Sequence, residues 1–319
     1  MGTAVFEISA ALFGACIGSF LNAVIHRVPQ EDPSQRSLLG RSRCPRCGGI
    51  IRWFDNVPVL SWLCLRARAR CCGEPISPRY PLVELLTAAL FFLLAVHPPF
   101  GAPILADGTV VAAAAVAFGL HMVFIALLIA LTFIDFDTRL LPDVLTKPGI
   151  VLGVLGGLWP GVAGVISNDA SVSHELRTTL ASVIGLAVGG GVTWAVRAAG
   201  TAVFKKEAMG FGDVKLMAMI GAFLGWQGAL LTLFLGCVFG AVVGGVVALR
   251  RGFGASIPFG PYLAMGALVV LFGRDVLVRT LFDDWPRWQR ENPSSLLLVL
   301  TVSVLSLLAL LWLIRRGRR

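Results

Sequence analysis

Apolar runs near 20 residues recur along the chain, at 5–25, 80–96, 110–133, 149–166, 180–196, 228–249, 257–272 and 295–314, with polar stretches between them. A shorter run, 214–224, crosses a bilayer only if it tilts or extends through 225–227. About 20 residues of helix span the roughly 30 Å of hydrocarbon in a membrane. A membrane barrel would instead show strands of about 10 residues with alternating polarity, and none is visible. The pattern predicts an all-α, polytopic integral membrane helical bundle with about nine transmembrane helices. The longest polar stretch, 26–79, is expected to form a loop domain that contains cysteines. Because the first run has neither a basic segment before it nor a small-residue cleavage site, it is expected to be a retained helix.

Composition supports this picture. Of 319 residues 56% are hydrophobic and only 14% charged, and the mean hydropathy is +0.82; an ordinary soluble domain is about 25% charged. The net charge of +9 would suggest nucleic acid in a soluble protein. Here the basic residues cluster in a few loops with no aromatic-basic stacking surface, so lipid is the expected partner and nucleic acid is not. Basic loops mark the cytoplasmic face. Loop 26–79 carries ten arginines against four acids (Glu31, Asp32, Asp55 and Glu74), which places it inside and the N-terminus outside. Alternation then puts Arg139, Lys147, Lys205, Lys206, Arg250, Arg251 and the tail 315–319 inside, and 97–109, 167–179 and 274–294 outside. The expected division is a first transmembrane helix (1–25), a cytoplasmic Cys-rich loop (26–79), a membrane core (80–273), and an external loop with an extra helix and basic tail (274–319).

Carboxylates at the edge of long apolar runs are costly and therefore functional candidates. Asp135 and Asp137 close the run 110–133, and Asp213 opens the run 214–224. Both edges fall on the cytoplasmic side, where a bundle can bring them together. Two aspartates sharing one proton can activate water against a peptide bond. Gly210 and Gly212 precede Asp213; glycine permits φ > 0 and close approach of another chain, here an extended substrate. Lys215 follows two residues later, near the site or as an interfacial anchor. The bland alternative pairs these acids with Arg139 and Lys215.

Gly210-Phe211-Gly212-Asp213 resembles the Gly-x-Gly-Asp signature of intramembrane aspartyl proteases. Asp135, seven residues before Pro142-Asp143, is similar to the partner motif of bacterial type IV prepilin peptidases. Further segments resemble that family in order: Gly18-Ser19-Phe20-Leu21-Asn22 with His26-Arg27-Val28-Pro29, Cys44-Pro45-Arg46-Cys47, Asp55-Asn56-Val57-Pro58, Ile76 to Glu84, and Pro258-Phe259-Gly260-Pro261-Tyr262. The resemblance covers roughly 14–272. It implies catalysis by Asp135 and Asp213, with Asp137 a weaker third candidate. It further implies removal of a short basic leader from prepilins and type II secretion pseudopilins at the cytoplasmic face of the bacterial inner membrane. N-methylation of the new terminus with S-adenosylmethionine would follow.

Five of the seven cysteines lie in loop 26–79, where disulfides are not expected to persist. Cys44-x-x-Cys47 followed about 25 residues later by a second pair reads as a tetrahedral zinc site. The chain departs from the family there: position 69 is Ala, and adjacent Cys71 and Cys72 stand in place of a second Cys-x-x-Cys. Cys44, Cys47 and Cys72 are expected ligands, with Cys71 or Cys64 as the fourth. Cys16 and Cys237, inside apolar runs, are expected in the core, as is His121. Glu84, one turn inside its run, should face the bundle interior. The resemblance places it in a segment associated with methylation and makes it a candidate for cofactor binding. No His-Glu-x-x-His or Gly-x-Ser-x-Gly occurs, which excludes those protease types, and no Rossmann-type methyltransferase pattern is present. Two rivals remain: a peptidase without methyl transfer, and a transporter using the aspartates as a proton relay. The latter should show inverted repeats and acids nearer the bilayer centre; neither is visible.

Overall fold

The computed structural model describes residues 2–32, 36–38, 40, 42–99, 103, 111–157, 174–205, 207, 209–251, 258–292 and 301. Among them every regular element is helical: α1 (Gly2–Arg27), a 3-10 turn (Trp53–Asn56), α2 (Leu60–Cys64), α3 (Arg79–Val96), α4 (Ala112–Thr138), α5 (Asp143–Gly156), α6 (His174–Phe204), α7 (Phe211–Arg251), α8 (Gly260–Val278), a π turn (Arg279–Asp284) and α9 (Trp285–Glu291). Five stretches are long and apolar enough to cross a membrane, or six if Gly260–Arg274 and Val276–Glu291 form one bent span. The expected count of nine is not reached among the described residues. Two expected runs, 214–224 and 228–249, belong to the single element α7, while 295–314 lies outside the described residues except for 301, as does 149–166 beyond 157.

The short run 214–224 has a physical explanation. Gly225 (φ 72°, ψ 177°) breaks α7, in a conformation that glycine adopts without steric cost. Before the break, Leu216, Met217, Met219, Ile220, Ala222 and Phe223 are all buried, so this half is apolar all round because protein surrounds it. Phe223 stacks on Phe124 of α4 with ring centroids 4.5 Å apart. After the break Phe234, Val242 and Val246 face outward.

Small residues set the helix contacts, as expected where lipid offers no hydrophobic drive. A Cβ on Gly14 or Gly18 of α1 would lie 2.9 Å from Ala88 Cα or 2.6 Å from Glu84 Cα, on α3. Gly185 of α6 meets the Gly221 carbonyl of α7 just as closely, and Gly153 of α5 lies against Ala222. Cys16 and Cys237 are exposed, not core residues; they occupy the outward faces of their helices. His121 is buried, its Nδ1 2.8 Å from the Ala117 carbonyl oxygen one turn back.

Contacts divide the chain into Met1–Phe272 and Gly273–Arg319. Within the second unit, Trp285 and Trp288 of α9 pack against each other at 5.3 Å.

Candidate active site and cysteine cluster

The end of α4 and the start of α7 carry the two aspartates. Arg139 takes a left-handed conformation (φ 56°, ψ 27°) and donates its N–H to the Asp135 carbonyl, which closes α4. The extended Pro142 then starts α5 at Asp143. Three contacts bring this turn onto the second motif. Gly212 lies against Leu141, whose Cβ is 2.8 Å from where a Cβ on Gly212 would stand. Lys215 pairs with Asp143, and Lys147 closes on the same carboxylate at 2.8 Å. Deeper, Gly149 of α5 gives room to the Met219 side chain of α7.

Asp135 and Asp213 are both buried, at 5% and 7% exposure. Gly260, the first residue of α8, donates its N–H to Asp135 Oδ2 at 3.0 Å. The N–H groups of a helix's first turn lack intrahelical partners and favour an anion, so α8 offers Asp135 a fixed donor. A Cβ on Gly260 would stand 2.6 Å from the same oxygen; only glycine lets the helix start so close. Sequence reasoning quoted Gly260 in a motif without giving it a role. Its signal was a glycine directly before the first proline of an apolar helix.

The glycines of the second motif act differently from expectation. Neither Gly210 nor Gly212 has a positive φ. Gly212 serves the close approach of Leu141, whereas a Cβ on Gly210 would meet Asp213 Oδ2 at an ordinary 3.7 Å. Asp137 points outward from the pair. Both of its oxygens accept from Arg79 Nη1, at 2.8 and 2.6 Å, and Arg79 Nη2 donates to the Phe133 carbonyl. Arg79, not Arg139, is its ionic partner.

The loop between α1 and α3 folds as two similar turns. The first is framed by a bridge between Arg43 and Ile50, the second by one between Arg68 and Pro75. Cys44 corresponds to Ala69 and Cys47 to Cys72, and Gly48 (φ 71°) and Gly73 (φ 72°) occupy equivalent left-handed positions. The thiols of Cys44, Cys47, Cys71 and Cys72 all lie within 4.8 Å of one another. Cys44 to Cys72 is 3.8 Å, Cys71 to Cys72 3.9 Å and Cys47 to Cys71 3.3 Å. A tetrahedral metal with bonds of about 2.3 Å to sulfur separates its thiolates by about 3.8 Å. Cys71, adjacent to Cys72, supplies the fourth thiol of the group where the second turn's counterpart of Cys44 is Ala69, and Cys64 is not among the four. The backbone N–H groups of Cys47 and Arg46 lower the Cys44 thiol to about 7, while Cys47 and desolvation push Cys71 up to about 12. Four thiols so close cannot all ionise without a cation among them. The cluster could hold a metal ion.

Glu84 of α3 anchors this loop. Its Oε2 accepts the Val59 N–H at 2.7 Å, and the Ser19 hydroxyl also bonds the carboxyl. Asn22 Nδ2 donates to the Tyr80 carbonyl at 3.1 Å, so α1 and α3 are joined at both ends of this segment. Val59 has a positive φ of 62°, unusual for a β-branched residue, and the Glu84 carboxyl holds it there.

Two family descriptions match the chain: the bacterial peptidase A24 N-terminal domain over residues 12–98, and the type IV leader peptidase family over 122–245. The first range holds the cysteine loop and Glu84, the second Asp135 and Asp213. The chain is 39% identical to a prepilin leader peptidase/N-methyltransferase of Aeromonas hydrophila, over 84% of this chain and 91% of that protein. It is 36% identical to the protein of the same name from Pseudomonas aeruginosa, over 86% and 93%. With the Myxococcus xanthus protein of that name it shares 42% identity over 77% of this chain and 64% of the relative. No solved structure matches.

Proposed function

The chain belongs to the type IV leader peptidase family, and from that membership we propose that it removes the basic leader from prepilins and type II secretion pseudopilins and then N-methylates the new terminus. It is a multi-pass inner-membrane protein. We place its N-terminus outside, with the cysteine loop, the aspartate pair and the C-terminus at the cytoplasmic face, where a positively charged leader is retained. In this reading 1–25 is the first membrane helix, 26–79 the methylation-associated loop, 80–273 the peptidase core, and 274–319 an appended loop and helix.

One observation carries the peptidase assignment: the docking of Gly212 on Leu141 and of Lys215 on Asp143, which sets two buried carboxylates at one end of the bundle. Water between such a pair is activated when one carboxylate is ionised and the other protonated. The Gly260 N–H supports negative charge on Asp135, which makes Asp135 the base and Asp213 the acid that polarises the scissile carbonyl. As the tetrahedral intermediate collapses, the proton taken from water passes to the leaving amine, and no covalent enzyme intermediate forms. Asp137, Gly212 and Lys215 support this site, whereas Gly210 has room for a side chain beside Asp213. Gly212 and Lys215 fix the two motifs together, and Asp137 ties α4 to the start of α3 through Arg79.

Cys44, Cys47, Cys71 and Cys72 fit one zinc ion, for which an all-thiolate tetrahedron is the usual structural site. Zinc there would join the two turns of a loop that has little core of its own. S-adenosylmethionine is the methyl donor in this reading.

The test is the N-terminal mass of a co-expressed prepilin with and without this protein. Loss of the leader mass together with a gain of one methyl supports both activities. Leader loss alone leaves a peptidase, and an unprocessed prepilin removes the assignment.

A further inference from the structure

The Glu84 carboxyl marks a depth. Two helices long and apolar enough to cross a membrane, α1 and α3, lie against each other there, with Gly18 on Glu84 Cα and Asn22 bonded to the Tyr80 carbonyl. Arg27 ends α1 and Arg79 begins α3, so these cations mark the charged edge of the pair. Ser19 lies eight residues before Arg27 and Glu84 five after Arg79. At 1.5 Å per residue they stand roughly 12 and 7.5 Å inside that edge. The Ser19 hydroxyl bonds the Glu84 carboxyl, which holds the carboxyl itself at this level. The Val59 N–H reaches it at 2.7 Å. The loop between the two helices therefore dips below their charged ends.

The next residue, Leu60, begins α2. Five residues of helix are too few to persist in water unaided. One side of α2 is tied to the loop, since Ser61 Oγ donates to the Val57 carbonyl and Trp62 Nε1 to the Ile76 carbonyl at 3.1 Å. The other side carries Leu60 and Leu63, three apart on one face and 60% and 57% exposed. Leu82 and Leu85, which flank Glu84 on α3, are 55% and 54% exposed; on a helix that crosses a membrane, such residues face lipid. Directly after α2 come exposed Arg66 and Arg68. Leucines at this depth with cations just above them are the layout of a helix lying in a bilayer interface, its apolar face about 5–10 Å into the headgroup and acyl boundary.

We infer that α2 is inserted in the membrane interface: Leu60 and Leu63 contact the glycerol and upper acyl groups of phospholipid, and Arg66 and Arg68 meet the phosphates above them. In the orientation proposed above this is the cytoplasmic leaflet. The inference goes beyond the peptidase and methylation readings and stands whether or not the chain methylates. Glu84 is the tether. The left-handed Val59 turns the chain into α2, and the carboxyl holds that turn at the depth of Ser19. Along the chain α2 lies between the two cysteine turns, so its insertion keeps both turns close to the membrane surface.

Photocrosslinking of the full chain in nanodiscs of phosphatidylethanolamine and phosphatidylglycerol tests this. A diazirine-bearing amino acid replaces Leu63 in one preparation and Glu74, an exposed acid of the second cysteine turn, in another. Peptide mass spectrometry then counts phospholipid adducts. Position 63 should give at least about tenfold more phospholipid adduct than position 74, since an interfacial helix buries only its apolar face in lipid. Equal yields at the two positions overturn the inference. Adducts of position 63 with a second protein chain in place of lipid make the face a protein contact and overturn it too. Amide hydrogen exchange adds a second readout. Leu60→Ser with Leu63→Ser keeps the hydrogen bonds of α2 but removes its apolar face, so amides 60–65 should exchange about tenfold faster in the nanodisc than in the wild type. Leader cleavage, performed at Asp135 and Asp213, reports that the variant is folded. Exchange unchanged in a variant that still cleaves overturns the inference, while the peptidase and methylation readings stand.

Discussion

Replacing Gly260 with Ala tests whether the start of α8 sets the geometry of the catalytic pair. The added Cβ would stand 2.6 Å from Asp135 Oδ2 and 3.2 Å from its Cγ. Ordinary contact begins near 3.4 Å, so about 0.8 Å of displacement is required. Helix backbone is stiffer than one short side chain, and the carboxylate gives way. A misplacement of about 1 Å in a reacting group costs on the order of 100-fold in rate, or about 2.7 kcal/mol of barrier. Gly210→Ala is the matched control: its Cβ meets Asp213 Oδ2 at 3.7 Å, an ordinary distance, so a loss under about threefold is expected. The assay is the initial rate of leader removal from a co-expressed prepilin, read by intact mass and normalised to the membrane-inserted enzyme. Equal rates in the two variants, or a Gly260→Ala enzyme as fast as wild type, would refute the role assigned to Gly260.

Asp135→Asn and Asp213→Asn should each abolish cleavage with insertion intact, since one carboxylate cannot be both acid and base; Asp137→Asn, bonded outward to Arg79, should lose far less, and wild-type rates in either of the first two would sink the pair. A topology reporter in 34–70 or after Arg319 should read cytoplasmic and one near Asp169 external; an external reading for 34–70 would put both aspartates on the wrong side for a cytoplasmic leader. Cys44→Ser with Cys47→Ser should lower methylation much more than cleavage and reduce bound zinc from about one per chain, whereas Cys64→Ser should retain the metal; equal metal content in the Cys44/Cys47 double mutant and wild type removes the zinc assignment. Glu84→Ala should impair methylation while Glu84→Gln preserves most of it, because the Gln carbonyl still accepts the Val59 N–H; equal loss in both would mean the charge itself acts.

Length and hydropathy were enough for the class of fold because a bilayer permits so few backbones. They were not enough for the span count. The run 214–224 is as apolar as a lipid-facing helix, yet protein surrounds it and Gly225 ends its geometry. Hydropathy cannot distinguish burial in protein from burial in lipid, and the same blindness placed Cys16 and Cys237 in the core. The aspartates were legible because charge beside apolar runs is rare. Gly260 was not, since its role depends on which helix N-terminus faces Asp135, a contact 125 residues apart in sequence.

The cysteine loop shows where spacing along the chain misleads about which thiols meet. Counting along the chain, Ala69 removes a ligand and adjacent cysteines look like a poor replacement, because neighbouring residues in an extended strand point opposite ways. The second turn is not extended there. Its ends are pinned by Ala69 N–H to the Glu74 carbonyl at 2.8 Å and Gly73 N–H to the Ala69 carbonyl at 2.7 Å. Within that tight turn Cys71 and Cys72 can direct both thiols to the same side, 3.9 Å apart. In the zinc reading the fourth thiol stands two residues further along the turn, at Cys71 in place of position 69, and four sulfurs still meet. If that shift preserves the site, Ala69→Cys with Cys71→Ala should restore the Cys-x-x-Cys spacing and retain bound metal, whereas Cys71→Ala alone should lose it. Metal retained by Cys71→Ala alone would show that Cys71 is not a ligand and that the loop closes on three thiols.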